Sequence, residues 1–151
     1  MIRDRREEIL ARLRMILETV PGIKKAARNL EEISGSDRPA IVMHDAAESD
    51  AGLANRLPKS KNDMMVLSPQ IYILLGARAL VVGSKISELR MAVLPVILKD
   101  EQLQELTGGS RGNGDIHYTG CGLDTTSGEN REARLELSFE FTYPLLMTEL
   151  A

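Results

Sequence analysis

The sequence has no tryptophan and only two phenylalanines and three tyrosines, 3% of its residues. Base-stacking platforms and aromatic ligand cages need more rings than that. The single cysteine, Cys121, excludes an intrachain disulfide and supplies too few thiolates for a cysteine-based metal centre, so a reducing compartment is the simpler expectation. Basic residues are not in excess: 19 Lys and Arg stand against 22 Asp and Glu, a net charge of −3. That balance argues against a dedicated nucleic-acid binder, though not against a protein past which DNA merely travels. No apolar run approaches the roughly 18 residues of a membrane span. The opening Met-Ile-Arg-Asp-Arg-Arg-Glu-Glu has no apolar stretch behind it of the kind a secretion signal needs. These absences predict a soluble protein, made and assembled in the cytoplasm.

What is present is enough for one domain. At 151 residues, 43% of them hydrophobic and 27% charged, the chain can bury about two thirds of its extended surface without metals or disulfides. The strongest pattern lies near the end. Over residues 132–143, Ala133, Leu135, Leu137, Phe139, Phe141 and Tyr143 take one parity, and Arg134, Glu136, Ser138, Glu140 and Thr142 take the other. Side chains alternate faces along a strand, so this is a half-buried β-strand whose apolar face holds three of the five aromatic rings. A slip of one residue would put all of them in water, which fixes the register. Pro144 is expected to end the ladder, having no N–H to donate.

Upstream, Ile2, Ile9, Leu13, Ile16, Leu17 and Val20 recur at helical spacing and predict an amphipathic helix over 2–20, stopped by Pro21-Gly22. Residues 23–30, rich in Lys and Arg, suit a short guarded edge strand. After a turn at 35–39, residues 40–45 and then 64–75 read as strands, with Pro69 at a bulge or an edge. Between them, 46–63 shows no periodicity. Ser84 is expected to cap a helix carrying Ile86, Leu89, Val93, Val96 and Ile97, with Pro95 either kinking it or starting a new one. A short helix over 100–107, a glycine-rich loop over 108–114 and a strand over 115–124 follow. In that strand Ile116 and Tyr118 take one parity and Cys121 and Leu123 the other, so Gly120 marks a β-bulge. The predicted class is α+β: a mostly antiparallel sheet of about five strands with two main helices packed on one face.

Few residues offer chemistry. His44 beside Asp45 and His117 near Asp115 would need to converge with a third ligand to hold a metal. Cys121, between two glycines, is expected to be a small buried residue. The 108–114 run has the glycines of a phosphate cradle but precedes a strand instead of opening a helix. Glu136 and Glu140 share a strand face about 13 Å apart, too far for a catalytic carboxylate pair. No catalytic residue, metal or cofactor is expected, and no enzymatic activity. Two features remain as candidate protein surfaces: the outward sheet face with Glu136 and Glu140, and the 46–63 loop with Leu53, Arg56, Leu57, Lys59 and Lys61.

Several stretches together resemble one family: the opening helix ending in Val-Pro-Gly, the run Ser34-Gly-Ser-Asp-Arg-Pro-Ala-Ile-Val, the run Leu67-Ser-Pro-Gln-Ile-Tyr, and the run from Gly114-Asp-Ile-His-Tyr-Thr-Gly-Cys through Leu137-Ser-Phe-Glu-Phe-Thr-Tyr-Pro-Leu. The chain is similar in these to the tail terminator (tail-completion) proteins of long-tailed bacteriophages. The resemblance implies a sheet with helices against one side that assembles into a ring, usually a hexamer, in the neck of the virion. Such a ring caps the tail tube protein, stops its elongation and offers a docking surface to the head–tail connector, while DNA passes through the lumen without specific binding. On this reading Glu136 and Glu140 line the lumen, and the 46–63 loop makes an inter-subunit or head-facing contact. A head-side connector would share the same pattern. A small-molecule-binding α+β domain would instead need a pocket between the helix at 84–98 and the sheet.

Overall fold

The computed structural model describes residues 2–30, 33, 35–50, 63–76, 82–108, 115–125 and 132–150. In chain order the elements are α1 (Arg5–Leu17), β1 (Lys25–Arg28), β2 (Ala40–His44), β3 (Glu48–Asp50), β4 (Asp63–Leu67), β5 (Gln70–Gly76), α2 (Val82–Leu98), α3 (Glu101–Gly108), β6 (Ile116–Thr125) and β7 (Glu132–Leu145). Short 3-10 turns lie at Gly35–Asp37 and Met147–Glu149. The class is α+β, as the alternation and helical spacing imply, with every strand pair antiparallel except β1 with β2.

The described strands number seven, where the sequence suggests about five, and the register explains the difference. Leu67 of β4 faces Phe141, and Gln70 of β5 faces Ser138. Three residues separate the two pairs on each side, so β4 and β5 run along one edge of β7 in unbroken register, parted only by Ser68-Pro69. Pro69 therefore causes no bulge against β7, and the bulge lies in the strands paired on its other side. On the next edge, His44 faces Gln70 while Glu48 faces Leu67. Four residues there oppose three, so β2 and β3 form one line with a one-residue bulge. The seven segments thus occupy five positions across the sheet: β1, β2 with β3, β4 with β5, β7, and β6. Part of the stretch expected to lack periodicity is consequently a strand, β3, which the acidic Glu-Ser-Asp sequence did not announce.

The apolar parity of β7 is buried throughout, with Leu137 and Phe141 fully covered and Ala133, Leu135, Phe139 and Tyr143 nearly so. Pro144 does not end the strand. Thr142 donates its N–H to Asp115 O on the β6 side, and Pro144, two residues on, turns its nitrogen the same way, past the point where β6 starts. No ladder bond is lost there, so pairing with β4 continues to Leu145.

All three described helices cover the same sheet face. Ile9, Leu10, Leu13, Ile16 and Leu17 of α1, Ile86, Leu89, Val93 and Ile97 of α2, and Leu103 and Leu106 of α3 join the β7 stripe and Ile41, Met43, Leu67, Ile71, Ile73 and Leu75 in one core. Burial of each large side chain contributes about 1.5–3 kcal/mol, and this cluster dominates the fold. Asp4 caps α1 by accepting from Glu7 N–H, so the helix starts later than the spacing suggests and Ile2 is 73% exposed. Ser84 lies inside α2 and does not cap it. The helix runs through Pro95 to Leu98 because the carbonyl it orphans belongs to Met91, and both residues face solvent. Gly22, at φ +86°, turns the chain beneath Leu89, where a Cβ would stand 3.3 Å from its Cδ2.

Candidate functional site: the open face of the sheet

The face opposite the helices is divided. Over β1 and β2 it is apolar and covered, with Ile33, Ala40 and Val42 buried against Ala27 and Leu74. Over β5, β7 and β6 it is polar and open. The even residues of β7 set its pattern: Arg134 and Glu140 exposed, Glu136, Ser138 and Thr142 half-buried. The register places Tyr72 and Gly122 on either side of Glu136, Leu74 and Asp124 beside Arg134, and His117 beside Glu140.

The glutamates expected on the outward face, Glu136 and Glu140, are both there, two positions apart with Ser138 between. Other residues join them that alternation along β7 alone does not bring in. Asp124 comes to this face because β6 shifts register between Tyr118 and Gly120, Gly120 having φ +146°. The parity switch in the sequence was the signal for this, and it returns Asp124 to the side His117 occupies. Arg134 lies over the Tyr72 ring at 4.8 Å and reaches Asp124 at 3.5 Å. His44 meets Tyr72 edge to face at 5.7 Å, and His117 Nε2 pairs with Asp115 at 2.9 Å. Two carboxylates, Asp124 and Glu136, thus lie near Arg134, and two more, Asp115 and Glu140, near His117, so the electrostatic character of this face is acidic.

The other expected sites fare differently. His44 and His117 lie on β2 and β6, three strand spacings apart or about 14 Å, and do not converge. Among the described residues no group of three His, Cys, Asp or Glu side chains is placed to hold a metal ion. Cys121 is exposed, contrary to the buried role expected of it; it lies on β6, which pairs on one side only, with β7, among the described residues. Leu53, Arg56, Leu57, Lys59 and Lys61, and the 109–114 part of the glycine run, lie outside the described residues. No described helix is long and apolar enough to cross a membrane.

Elsewhere the charges serve the architecture. Arg28 holds Glu7 by a double hydrogen bond at 2.8 and 2.9 Å, and Asp45 by another at 2.7 and 2.8 Å. Arg12 grips Asp100, which also accepts from Leu103 N–H at the start of α3. Arg3 and Arg5 meet Glu149 near the C-terminus. Two depressions, one along Glu18, Ile23 and Lys24 and one between α1 and α3 at Arg12 and Glu105, are shallow and lie on the surface. Comparison of the sequence with protein-family models and with curated proteins gives no match.

Proposed function

We propose that the protein is a structural component of a phage virion, a tail terminator whose ring caps the tail tube, halts its elongation and presents a joining surface to the head–tail connector. The observation that carries this reading is the asymmetry of the sheet: one face is sealed by the three described helices around one core, and the other is open over β5, β7 and β6 and acidic at Glu136, Glu140, Asp124 and Asp115. A wall of that charge lets DNA slide past, because its carboxylates outnumber Arg134 and His117, and Arg134 is already engaged with Asp124 and the Tyr72 ring. The sequence resemblance supplies the ring, about six subunits joined head to tail and closed by rotation. The virion neck is then the protein's place of action, and tail tube protein and connector are its neighbours.

A small-molecule pocket between α2 and the sheet is disfavoured by packing, since Ile86, Leu89, Val93 and Ile97 are buried there against Ile71, Ile73 and Leu75. The native mass of the purified protein, alone and mixed with tail tube protein, tests the proposal. A closed ring of about six copies, formed alone or only on the tube, is the expected result. A protein indifferent to tail tube protein that instead binds head-side neck protein would move it across the joint, and indifference to both would overturn the reading.

A further inference from the structure

The outer edge of β6 has no strand beside it among the described residues, and it differs from the other sheet margins in how it is defended. Edge strands invite pairing with another chain unless charges, prolines or bulges blunt them. The β1 margin carries Lys25 and Arg28, and β3 carries Glu48, which pairs with Arg6 at 3.7 Å. From Ile116 to Asp124 the charged residues are His117 and Asp124, both on the open face. On the helix side the strand shows Tyr118, whose hydroxyl accepts from Arg90 of α2 at 3.0 Å, an exposed Cys121 and Leu123, 53% exposed, and no charge of its own.

The register fixes which backbone groups this edge presents. Thr142 donates to Asp115 O, so the even residues of β7 turn their backbone to β6 and the odd residues turn theirs to β4 and β5. Ile116, Tyr118, Cys121 and Leu123 stand opposite odd residues, Phe141, Phe139, Leu137 and Leu135. Their own N–H and C=O groups therefore point outward, free to pair with another strand.

We propose that β6 pairs antiparallel with β6 of a second copy, about a two-fold axis through Cys121. Counted against β7, the strand fills nine positions with Cys121 in the fifth, so a two-fold axis there sets outward-turned residue against outward-turned residue throughout. Tyr118 faces Leu123 of the second copy on the helix side. His117 faces its Asp124 on the open side, imidazole against carboxylate. The extra residue at Thr119 and Gly120 falls opposite Gly122 in both halves. The strand is thus complementary to itself in backbone and in polar and apolar side chains, as a two-fold interface requires. This pairing does not rest on the ring reading, and it predicts assemblies with an even number of copies.

Cys121 makes the axis measurable. In a hydrogen-bonded antiparallel pair the facing Cα atoms are about 5.5 Å apart, within the roughly 4.4–6.8 Å that a disulfide spans. The full chain at micromolar concentration should show, by native mass spectrometry, twice the 16.7 kDa of one copy. Diamide, which takes up the two electrons and two protons released when two thiols join, should link it through Cys121. Moving the thiol by one residue, in Cys121→Ser/Gly122→Cys, places the sulfurs on a diagonal beyond disulfide reach, and cross-linking should slow at least tenfold. Position 122 has open space for a side chain. Leu123→Lys, a charge at an exposed site, should cut the dimer population at least tenfold with the circular dichroism unchanged. A monomer at 100 µM whose thiols at 121 and 122 cross-link at equal rates would overturn the proposal, and so would a dimer that Leu123→Lys leaves intact. A failure to form rings on tail tube protein would leave this pairing untouched.

Discussion

Arg28 ties together the first turn of α1, the edge strand β1 and the end of β2 through its two forks on Glu7 and Asp45. The guanidinium holds both carboxyls below their ordinary range, by its hydrogen bonds first and its charge afterwards. Burial alone would raise the Asp100 carboxyl, but Arg12 and the Leu103 N–H together bring it below that range; Arg5 and Arg3 do the same against burial for Glu149. In each case the unfolded chain takes up protons at a higher pH than the folded one. The stability these groups contribute is therefore complete above the ordinary carboxylate value of about 4 and is lost as pH falls through the depressed folded values. Lysine keeps the charge of Arg28 but cannot hold two carboxylates bidentately. Arg28→Lys should cost about 1–2 kcal/mol at pH 7 by urea denaturation, and its stability should fall less steeply than wild type below pH 4. A change within the roughly 0.5 kcal/mol of an ordinary surface substitution would show that the forks contribute nothing.

At the scale of elements, the chain could be read wherever alternation and burial agree. The β7 stripe and the apolar spacing from Ile9 through α1 to Val20 follow from the sequence because one face of each must enter the core, and the Gly120 bulge follows from the parity switch around it. The sequence was silent or misleading where tertiary placement decides. Glu48–Asp50 is a strand only because β4 offers it an edge. Cys121 is exposed on a strand that pairs on one side only among the described residues, and Pro144 continues a strand only because its neighbour ends first. Glu136 and Glu140 were legible as a shared face, whereas Asp124 needed the bulge and Asp115 needed His117 to bring them there. Pro95 is the clearest conflict between local and tertiary preference. It leaves the Met91 carbonyl without its helical partner, and proline in a helix interior costs on the order of 3 kcal/mol. Both residues are exposed, so Pro95→Ala should restore the bond without disturbing the core and raise stability by about 1–3 kcal/mol in thermal or urea unfolding. A loss of stability would mean that the ring itself holds the α2–α3 junction in place.

For the whole molecule, the sheet is a partition with a dry side and a wet side, and the wet side is where a passing polyanion would be met. If Glu136 and Glu140 face a DNA channel, their sign matters more than their shape. Glu140 is exposed and Glu136 lies between the Tyr72 ring and Gly122, so long side chains of either charge fit the fold. Glu136→Lys/Glu140→Lys should unfold at nearly the wild-type denaturant concentration, yet turn each copy from repelling phosphates to binding them. Two lysines per subunit that each neutralise one phosphate give a salt slope of about −0.9 per contact, and a ring multiplies that slope by its number of copies. Duplex DNA should then bind the variant ring at low salt and leave it at high salt, while wild type binds at neither. Particles carrying the variant should eject DNA more slowly, and more so at low ionic strength. Ejection that is unchanged when both glutamates are reversed would show that this face does not line the channel, and would reassign the acidic surface to a protein partner.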